Sequence, residues 1–426
     1  MSKIKSIRGM SDLTPSEVKI WQYVEDHLRS SFDSYGYQEV RFPLVEKSEL
    51  FLTSVGTSTD IISKEMYSFK DKKGTDLALR PEGTAGCVRA SLENDLLRVD
   101  SPRLWYMGPM FRYERPQKGR KRQFHQASVE AYGFKDHYID AEMIFLSSSL
   151  WTTLGVQSEV ELEINSLGDL ESRNKYKSSL QKYFDPYLGD LDNDSKRILK
   201  ENPLRILDSK SKDILEMLVE APGVLKFVDK QSLKHFESLQ DLLLKGNITF
   251  KVNEKLVRGL DYYNMLVFEW KTKKLGAQDT ICGGGRYDNL VELLGGEPCP
   301  AVGFSIGLER LILLIEEINN EKVFSKPDVD CFFICLEEKG FEQAILVSEE
   351  IRKNVPNLSI KVNLEATSAG SQFKRADKSG AKVALILGAQ EIEENKISLK
   401  ELRNGSIQKS YSLEELILKL KKVLKK

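Results

Sequence analysis

The stretch whose reading decides the fold is LWYMGPMFRYE (104–114), RPQKGRKR (115–122) and QFHQASVEAYG (123–133). Its pattern predicts two strands joined by a basic loop. Alternate residues of a strand share a face. Phe124, Gln126, Ser128, Glu130 and Tyr132 therefore lie on one side, and His125, Ala127, Val129 and Ala131 on the other. The small apolar side suits a core. The other side presents an amide and a carboxylate, as the wall of a polar pocket does. Around the loop, Arg112, Arg115, Lys118, Arg120, Lys121 and Arg122 face the single acid Glu114, although the whole chain carries a net charge of −1. Such a local cluster suggests a specific anionic ligand. A solvated hairpin accounts for the loop alone equally well. Arg112, placed inside the strand, favours the ligand, because buried charge is costly unless it is paired or used.

Just upstream, Thr75 to Leu79 alternates as a half-buried strand does, and Pro81 and Gly83 end it around Glu82. Thr84 is predicted to cap a helix. Val88, Ser91, Leu92, Asp95 and Leu96 then recur at helical spacing.

FRYERPQKGRKRQFHQ (111–126), preceded by RPEGTAGCVRA (80–90), closely resembles motif 2 of the histidyl-tRNA synthetases, a family of class II aminoacyl-tRNA synthetases. The match is far longer than a lone short motif.

Composition sets the frame. A chain of 426 residues, 41% hydrophobic and 30% charged, suits a soluble globular protein of about two to four domains. The first residues are polar, so no secretory signal is expected, and no apolar run approaches membrane-spanning length. The cysteines (Cys87, Cys282, Cys299, Cys331, Cys335) show no CxxC spacing and the histidines are scattered. Buried thiols, a reducing cytoplasm and no metal site are expected.

In chain order, Thr14-Pro15-Ser16-Glu17 opens a helix predicted to run to Tyr35 and stop at Gly36, with Ile20, Tyr23, Val24 and Leu28 on its apolar face. A strand over Gln38–Pro43 and FPLVEKSELF (42–51) follow. This region resembles motif 1, which implies a homodimer interface. VGTSTDIISKEMYSF (55–69) is similar to the family stretch leading to motif 2. Tyr138–Leu154 reads as a helix and Glu159–Leu167 as a strand. The Lys-, Asp- and Ser-rich run over 168–248 reads as helical, with a break at Asn202-Pro203. On residues alone it is a solvated insertion. The resemblance, which includes NPLRILDSK (202–210), implies a domain that cradles the tRNA acceptor arm.

Thr249–Trp270 resumes strand character. Within it Arg258 needs a partner, such as Asp261, or a ligand. LVRGLDYYN (256–264) and CGGGRYDNLVELLGG (282–296) resemble the two histidine-specific signatures of the family. The glycine run lacks GK[ST] and is no P-loop. AVGFSIGLERLILLIEEI (301–318) predicts a strand and then a helix, with Leu308, Leu311, Ile312 and Ile315 on its core face. Arg310 in the first turn opposes the helix dipole, and the segment resembles motif 3. From Pro327, strands alternate with helices, predicting a small α/β domain with parallel strands. That unit resembles the anticodon-binding domain shared with the threonyl, prolyl and glycyl enzymes.

The expected fold class is therefore an α+β catalytic domain on a mixed, mostly antiparallel sheet. It spans residues 1–326, interrupted by the helical insertion over 168–248, with an anticodon-binding α/β domain over 327–426. The resemblance implies histidine–tRNA ligase activity on L-histidine, ATP with Mg2+, and tRNA(His). By resemblance, Arg112 and Arg258 act on the α-phosphate, Arg258 also grips the histidine carboxylate, and Arg112, Glu114, Arg120 and Arg310 bind ATP. Glu82, Thr84 and Gln126 take the α-amino group, Gly83 belongs to the histidine site, Glu130 and Tyr263 read the imidazole, and Tyr262 and Tyr287 close the pocket. Two rivals stand beside this. One is a class II synthetase for another amino acid, against which the Arg258 and Gly283 signatures argue. The other is a catalytically inactive, synthetase-like regulatory subunit of ATP phosphoribosyltransferase. Such subunits erode the signature arginines and lack the C-terminal domain; this chain keeps Arg112, Arg258, Arg310 and the residues after Pro327.

Overall fold

A capping box starts the first helix, α1 (Pro15–Ser34): the Glu17 carboxylate accepts the Thr14 N–H at 2.8 Å. The helix ends at Tyr35, and Gly36 follows with φ +78°, a left-handed conformation suited to glycine. Ile20, Trp21, Val24, Leu28 and Phe32 are buried; Tyr23 is only half-buried.

The computed structural model describes residues 3–56, 59–209, 211–276, 279–318, 329–403 and 407–424. After α1 come β1 (Gln38–Glu39), β2 (Val45–Lys47), α2 (Ser48–Val55), β3 (Ser68–Lys70), β4 (Asp76–Leu79) and α3 (Thr84–Glu93). The expected strand to Pro43 is thus much shorter. Next are β5 (Arg103–Phe111), β6 (Gln123–Tyr132), α4 (His137–Thr153) and β7 (Glu161–Ser166). The insertion supplies α5 (Leu170–Phe184), α6 (Asn193–Glu201), α7 (Lys212–Met217) and α8 (Lys230–Lys245). Then follow β8 (Phe250–Val252), β9 (Asn264–Lys271), β10 (Thr280–Arg286), α9 (Leu290–Leu293), β11 (Ala301–Gly307) and α10 (Leu308–Ile318).

Among the described residues, eight strands form one sheet in the order β1-β5-β6-β11-β10-β9-β7-β8. Only the edge pairs β1–β5 and β7–β8 are parallel; the interior pairs are antiparallel, as expected. A smaller sheet, β2-β4-β3, stands beside it. On one face of the large sheet α4 packs against β11, flanked by α1 and α8. Arg286, almost fully buried, anchors that layer. Its guanidinium bonds Asp140 of α4 at 2.8 and 3.0 Å and the carbonyls of Phe134 and Asp136. The other face carries Tyr106, Tyr132, Tyr262, Tyr263 and Tyr287 in a separate apolar cluster with α3 and α9. Aromatic bodies bury area there while their hydroxyls remain to be paired.

The insertion has its own core, built on Tyr176, Leu180, Phe184, Leu199, Ile206 and Leu218. The break at Asn202-Pro203 is where α6 ends and a short 3-10 segment begins. The last helix, α8, turns back onto α4 and β7.

The chain divides into two units, Met1–Glu321 and Lys322–Lys426. Pro327, the expected boundary, lies outside the described residues. The second unit contains β12 (Cys331–Cys335), α11 (Gly340–Asn354), β13 (Ile360–Val362), α12 (Ala369–Lys378), β14 (Val383–Leu387), α13 (Ala389–Glu393), β15 (Ile397–Glu401), β16 (Lys409–Tyr411) and α14 (Leu413–Leu424). β13, β12 and β14 are parallel, but β15 and β16 extend the sheet antiparallel, so it is mixed rather than parallel throughout. A short connection suffices for an antiparallel return, with no crossover helix needed. Among the described residues no helix is long and apolar enough to cross a membrane.

Candidate active site

The turn after β4 builds the first wall. Thr84 does not cap α3; it is the first helical residue. Glu82 does the capping instead. Its carboxylate accepts the N–H of Thr84 at 2.7 Å and of Ala85 at 3.0 Å. Burial nevertheless pushes the Glu82 carboxyl above its ordinary range. Thr84 Oγ1 is thereby left to donate to Glu130 at 2.9 Å. Gly83 lies under the ring of Tyr106, where a Cβ has no room.

Glu130 sits on β6, 1% exposed, and carries three hydroxyl donors. Thr84 and Tyr106 (3.0 Å) reach Oε1, and Tyr287 makes a short contact to Oε2. Burial outweighs these bonds and pushes the carboxyl up to about 8. β6 also places Gln126 two turns of the alternation away, on the same face; its buried Oε1 has no hydrogen-bond partner among the described residues.

Arg112 stands one residue beyond β5, not within it. Its Nε donates to the Pro81 carbonyl at 2.8 Å and its guanidinium lies 5.2 Å over the ring of Phe124. Arg310, at the start of α10, donates to the carbonyls of Gly119 (3.1 Å) and Thr280 (2.8 Å). Burial lowers the Arg310 pKa, and the nearby charges of Arg112 and Arg120 lower it further. Arg120 pairs closely with Glu114, which is almost buried.

Arg258 was read inside a strand, with either a ligand to serve or a partner such as Asp261. The strand stops at Val252, because Asn253 to Lys255 turn, and Arg258 lies on the irregular segment before β9. Its partner is Glu269 of β9. Asp261 instead accepts from Asn202 Nδ2 at 2.7 Å. Burial alone would weaken Arg258's hold on its proton, but Glu269 more than reverses this.

These groups meet at one cavity of about 670 Å3. Glu82, Thr84, Arg112, Glu114, Arg120, Gln126, Arg258, Tyr262, Tyr263 and Arg310 line it, with Asp208 and Leu215 of the insertion at its rim. Gly83, Glu130 and Tyr287 do not line it; they form the layer behind. Tyr287 was expected to close the pocket, but its hydroxyl is spent on Glu130. Tyr106 and Glu269 escaped the sequence reading. Tyr106 stands opposite Ser128 across β5 and β6, visible only once the strands are in register. Glu269 left a local signal, a lone acid in the apolar run LVFEW. Chemically, a pocket walled by Glu82, Thr84, Gln126, Tyr262 and Tyr263 opens into a cluster of arginines. Such an arrangement can hold a cationic or N–H-bearing group at one end and neutralise phosphate charge at the other.

A profile of the histidyl-tRNA synthetase family matches residues 9–311, and one of the anticodon binding domain matches residues 330–423. The crystal structure of apo Staphylococcus aureus histidyl-tRNA synthetase is similar at 32% identity, covering 98% of this chain and 100% of that one, with a TM-score of 0.82. Histidyl-tRNA synthetase from Nostoc sp. PCC 7120 is similar at 23% identity over 99% and 100% of the two chains, with a TM-score of 0.70. A Bacillus halodurans protein described as an ATP phosphoribosyltransferase regulatory subunit/histidyl-tRNA synthetase is similar at 22% identity over 88% and 97%, with a TM-score of 0.63. The last two similarities speak for the fold alone.

Proposed function

The chain belongs to the histidyl-tRNA synthetase family, and on that premise we propose that it is a histidine–tRNA ligase. The observation that carries this reading is the convergence of Arg112, Arg258 and Arg310 on the same cavity as Glu82, Thr84, Gln126 and Tyr263. In the first step a histidine carboxylate oxygen attacks the α-phosphorus of ATP and pyrophosphate leaves. In the second the terminal ribose hydroxyl of tRNA(His) attacks the adenylate carbonyl and AMP leaves. Both steps depend on positioning and charge stabilisation. Arg112 and Arg258 would neutralise charge as it develops on the α-phosphate, with Arg120 and Arg310 around the outer phosphates and Glu114 in the ATP site as the carboxylate that holds Arg120. Glu82 and Gln126 suit the α-amino group; the orphaned Gln126 oxygen is an acceptor that such a donor satisfies. Tyr263 would meet the imidazole from the cavity wall. Before histidine binds, burial keeps the Glu130 carboxyl protonated up to about pH 8. Histidine binding would ionise it and bring a ring N–H past the cavity wall to the one lone-pair direction that its three hydroxyl donors leave.

ATP would bring its magnesium on its phosphates. No group of three His, Cys, Asp or Glu side chains among the described residues could hold an ion unaided, so the phosphates would supply most of the coordination. The C-terminal unit would read unstacked anticodon bases, in a cytoplasmic setting that suits five free thiols.

Pyrophosphate exchange into ATP, screened with all the standard amino acids, tests the reading. Exchange with histidine alone is expected. Exchange with a different amino acid would make the chain another class II ligase. No exchange at all, with tight binding to a phosphoribosyltransferase, would favour the regulatory reading. We also propose a homodimer. Leu44, Val45, Leu52 and Phe69 are exposed large apolar residues on and around β2, α2 and β3, a patch of the kind that marks an interface. Sedimentation equilibrium at micromolar concentration should return twice the chain mass; a monomer there would refute it.

A further inference from the structure

A guanidinium carried by an irregular segment needs an outside support to hold one orientation. Arg258 has one, and it comes from two adjacent strands. Glu269 on β9 stands directly opposite Gly283 on β10. Gly283 offers bare backbone: a Cβ there would fall 2.5–2.7 Å from Arg258 Nη1, Cζ and Nη2. Glu269 Oε1 takes Nη1 from the side. Its other oxygen accepts the Thr280 hydroxyl at 3.0 Å and lies 3.4 Å from Lys271 Nζ. The carboxylate is thus itself held in place. Arg258 Nε, buried, has no hydrogen-bond partner among the described residues. A carboxylate lining a cavity for a triphosphate repels its ligand, so its presence needs a reason.

Resting on the ligase reading, we propose that Glu269 is a positioning residue for histidine activation: with Gly283 as the seat, it orients the Arg258 guanidinium so that the remaining donors face the reacting phosphate. Removal of the charge should then weaken an interaction made mainly in the transition state. A support for Arg258 and nothing else should also lose its effect once the guanidinium is gone.

The experiment measures pyrophosphate exchange for the full chain carrying Glu269→Gln, with and without Arg258→Lys, rates being normalised to active sites. In the wild-type background kcat should fall about 10- to 100-fold while KM for histidine and for ATP stays within about threefold. In the Arg258→Lys background Glu269→Gln should cost less than about twofold more. Gly283→Ala, which displaces the guanidinium from the other side, should give the same kcat-selective loss. An unchanged kcat in Glu269→Gln, an equal loss in both backgrounds, or a loss confined to KM for ATP would each overturn the proposal while histidine-dependent exchange by the wild type upholds the ligase reading. A wild-type chain without exchange would overturn both.

Discussion

Replacing Arg112 by alanine should lower kcat for histidine-dependent pyrophosphate exchange by about two to three orders of magnitude, with KM for histidine little changed. The orientation of Arg112 is fixed from two sides. The Pro81 carbonyl holds its Nε and the Phe124 ring lies beneath its guanidinium. Its nearest carboxylate, Glu114, is 4.0 Å away, and closer to Arg120. Burial lowers the Arg112 pKa, yet the group stays charged at any working pH. Burying that charge beside Arg120 and Arg310 has a cost that an arriving polyphosphate offsets. Preorganised charge in a site shielded from water stabilises developing negative charge far more than the same charge does in solution. Arg112→Lys keeps the charge but loses the planar fork, so it should recover only part of the rate. Steady-state exchange kinetics would decide. If Arg112→Ala kept kcat within about fivefold and changed only KM for ATP, the arginine would serve ground-state binding instead.

Much of the site was legible because its signals are local. The alternation in QFHQASVEAYG placed Gln126 and Glu130 on the pocket side of β6, with Ala127, Val129 and Ala131 in the core. Gly36, Thr14 and Pro203 marked helix ends where the helices do end. Failures fall where a long-range contact outweighed a local preference. Thr84 is a good cap by type, but Glu82 reaches the same N–H groups, and Glu130, 46 residues away, claims the threonine hydroxyl. Apolar neighbours made Val257 and Arg258 read as strand, yet neither pairs in the sheet; Leu256 joins the tyrosine cluster and Val257 packs between that cluster and the core of the insertion. Asp261 was nearest to Arg258 in sequence; Glu269 is nearest in space because β9 folds back over the loop. Pairing across strands, which no single window contains, also hid Tyr106 and the antiparallel end of the C-terminal sheet.

Glu130→Gln should make the protein more stable at pH 8 and nearly inactive toward histidine. The sign follows from the carboxyl's position. Folded, it is pushed up to about 8; in an unfolded chain it lies near the ordinary carboxylate value of 4.5. Between those values the folded state keeps a proton that the unfolded state has released. Stability from this group is therefore present at low pH and is lost as pH rises through that window, by at most about 1.4 kcal/mol per unit. Glutamine has no such titration. Urea unfolding of the two proteins should give similar stabilities near pH 5 and a gap of a few kcal/mol in favour of glutamine at pH 8. Activity should move the other way. Glutamine has no charge to set against a ring N–H, and its amide must find partners among hydroxyls oriented to donate. A site built around one buried acceptor loses most of its discrimination when that acceptor changes, and kcat/KM for histidine should fall by about a thousandfold. Equal stability at both pH values would mean that the three hydroxyls already keep Glu130 ionised at little cost. A variant with wild-type kcat/KM would remove Glu130 from recognition altogether. Opposite movement of stability and activity would mark Glu130 as a group whose burial destabilises the empty protein and whose benefit appears only with histidine in place.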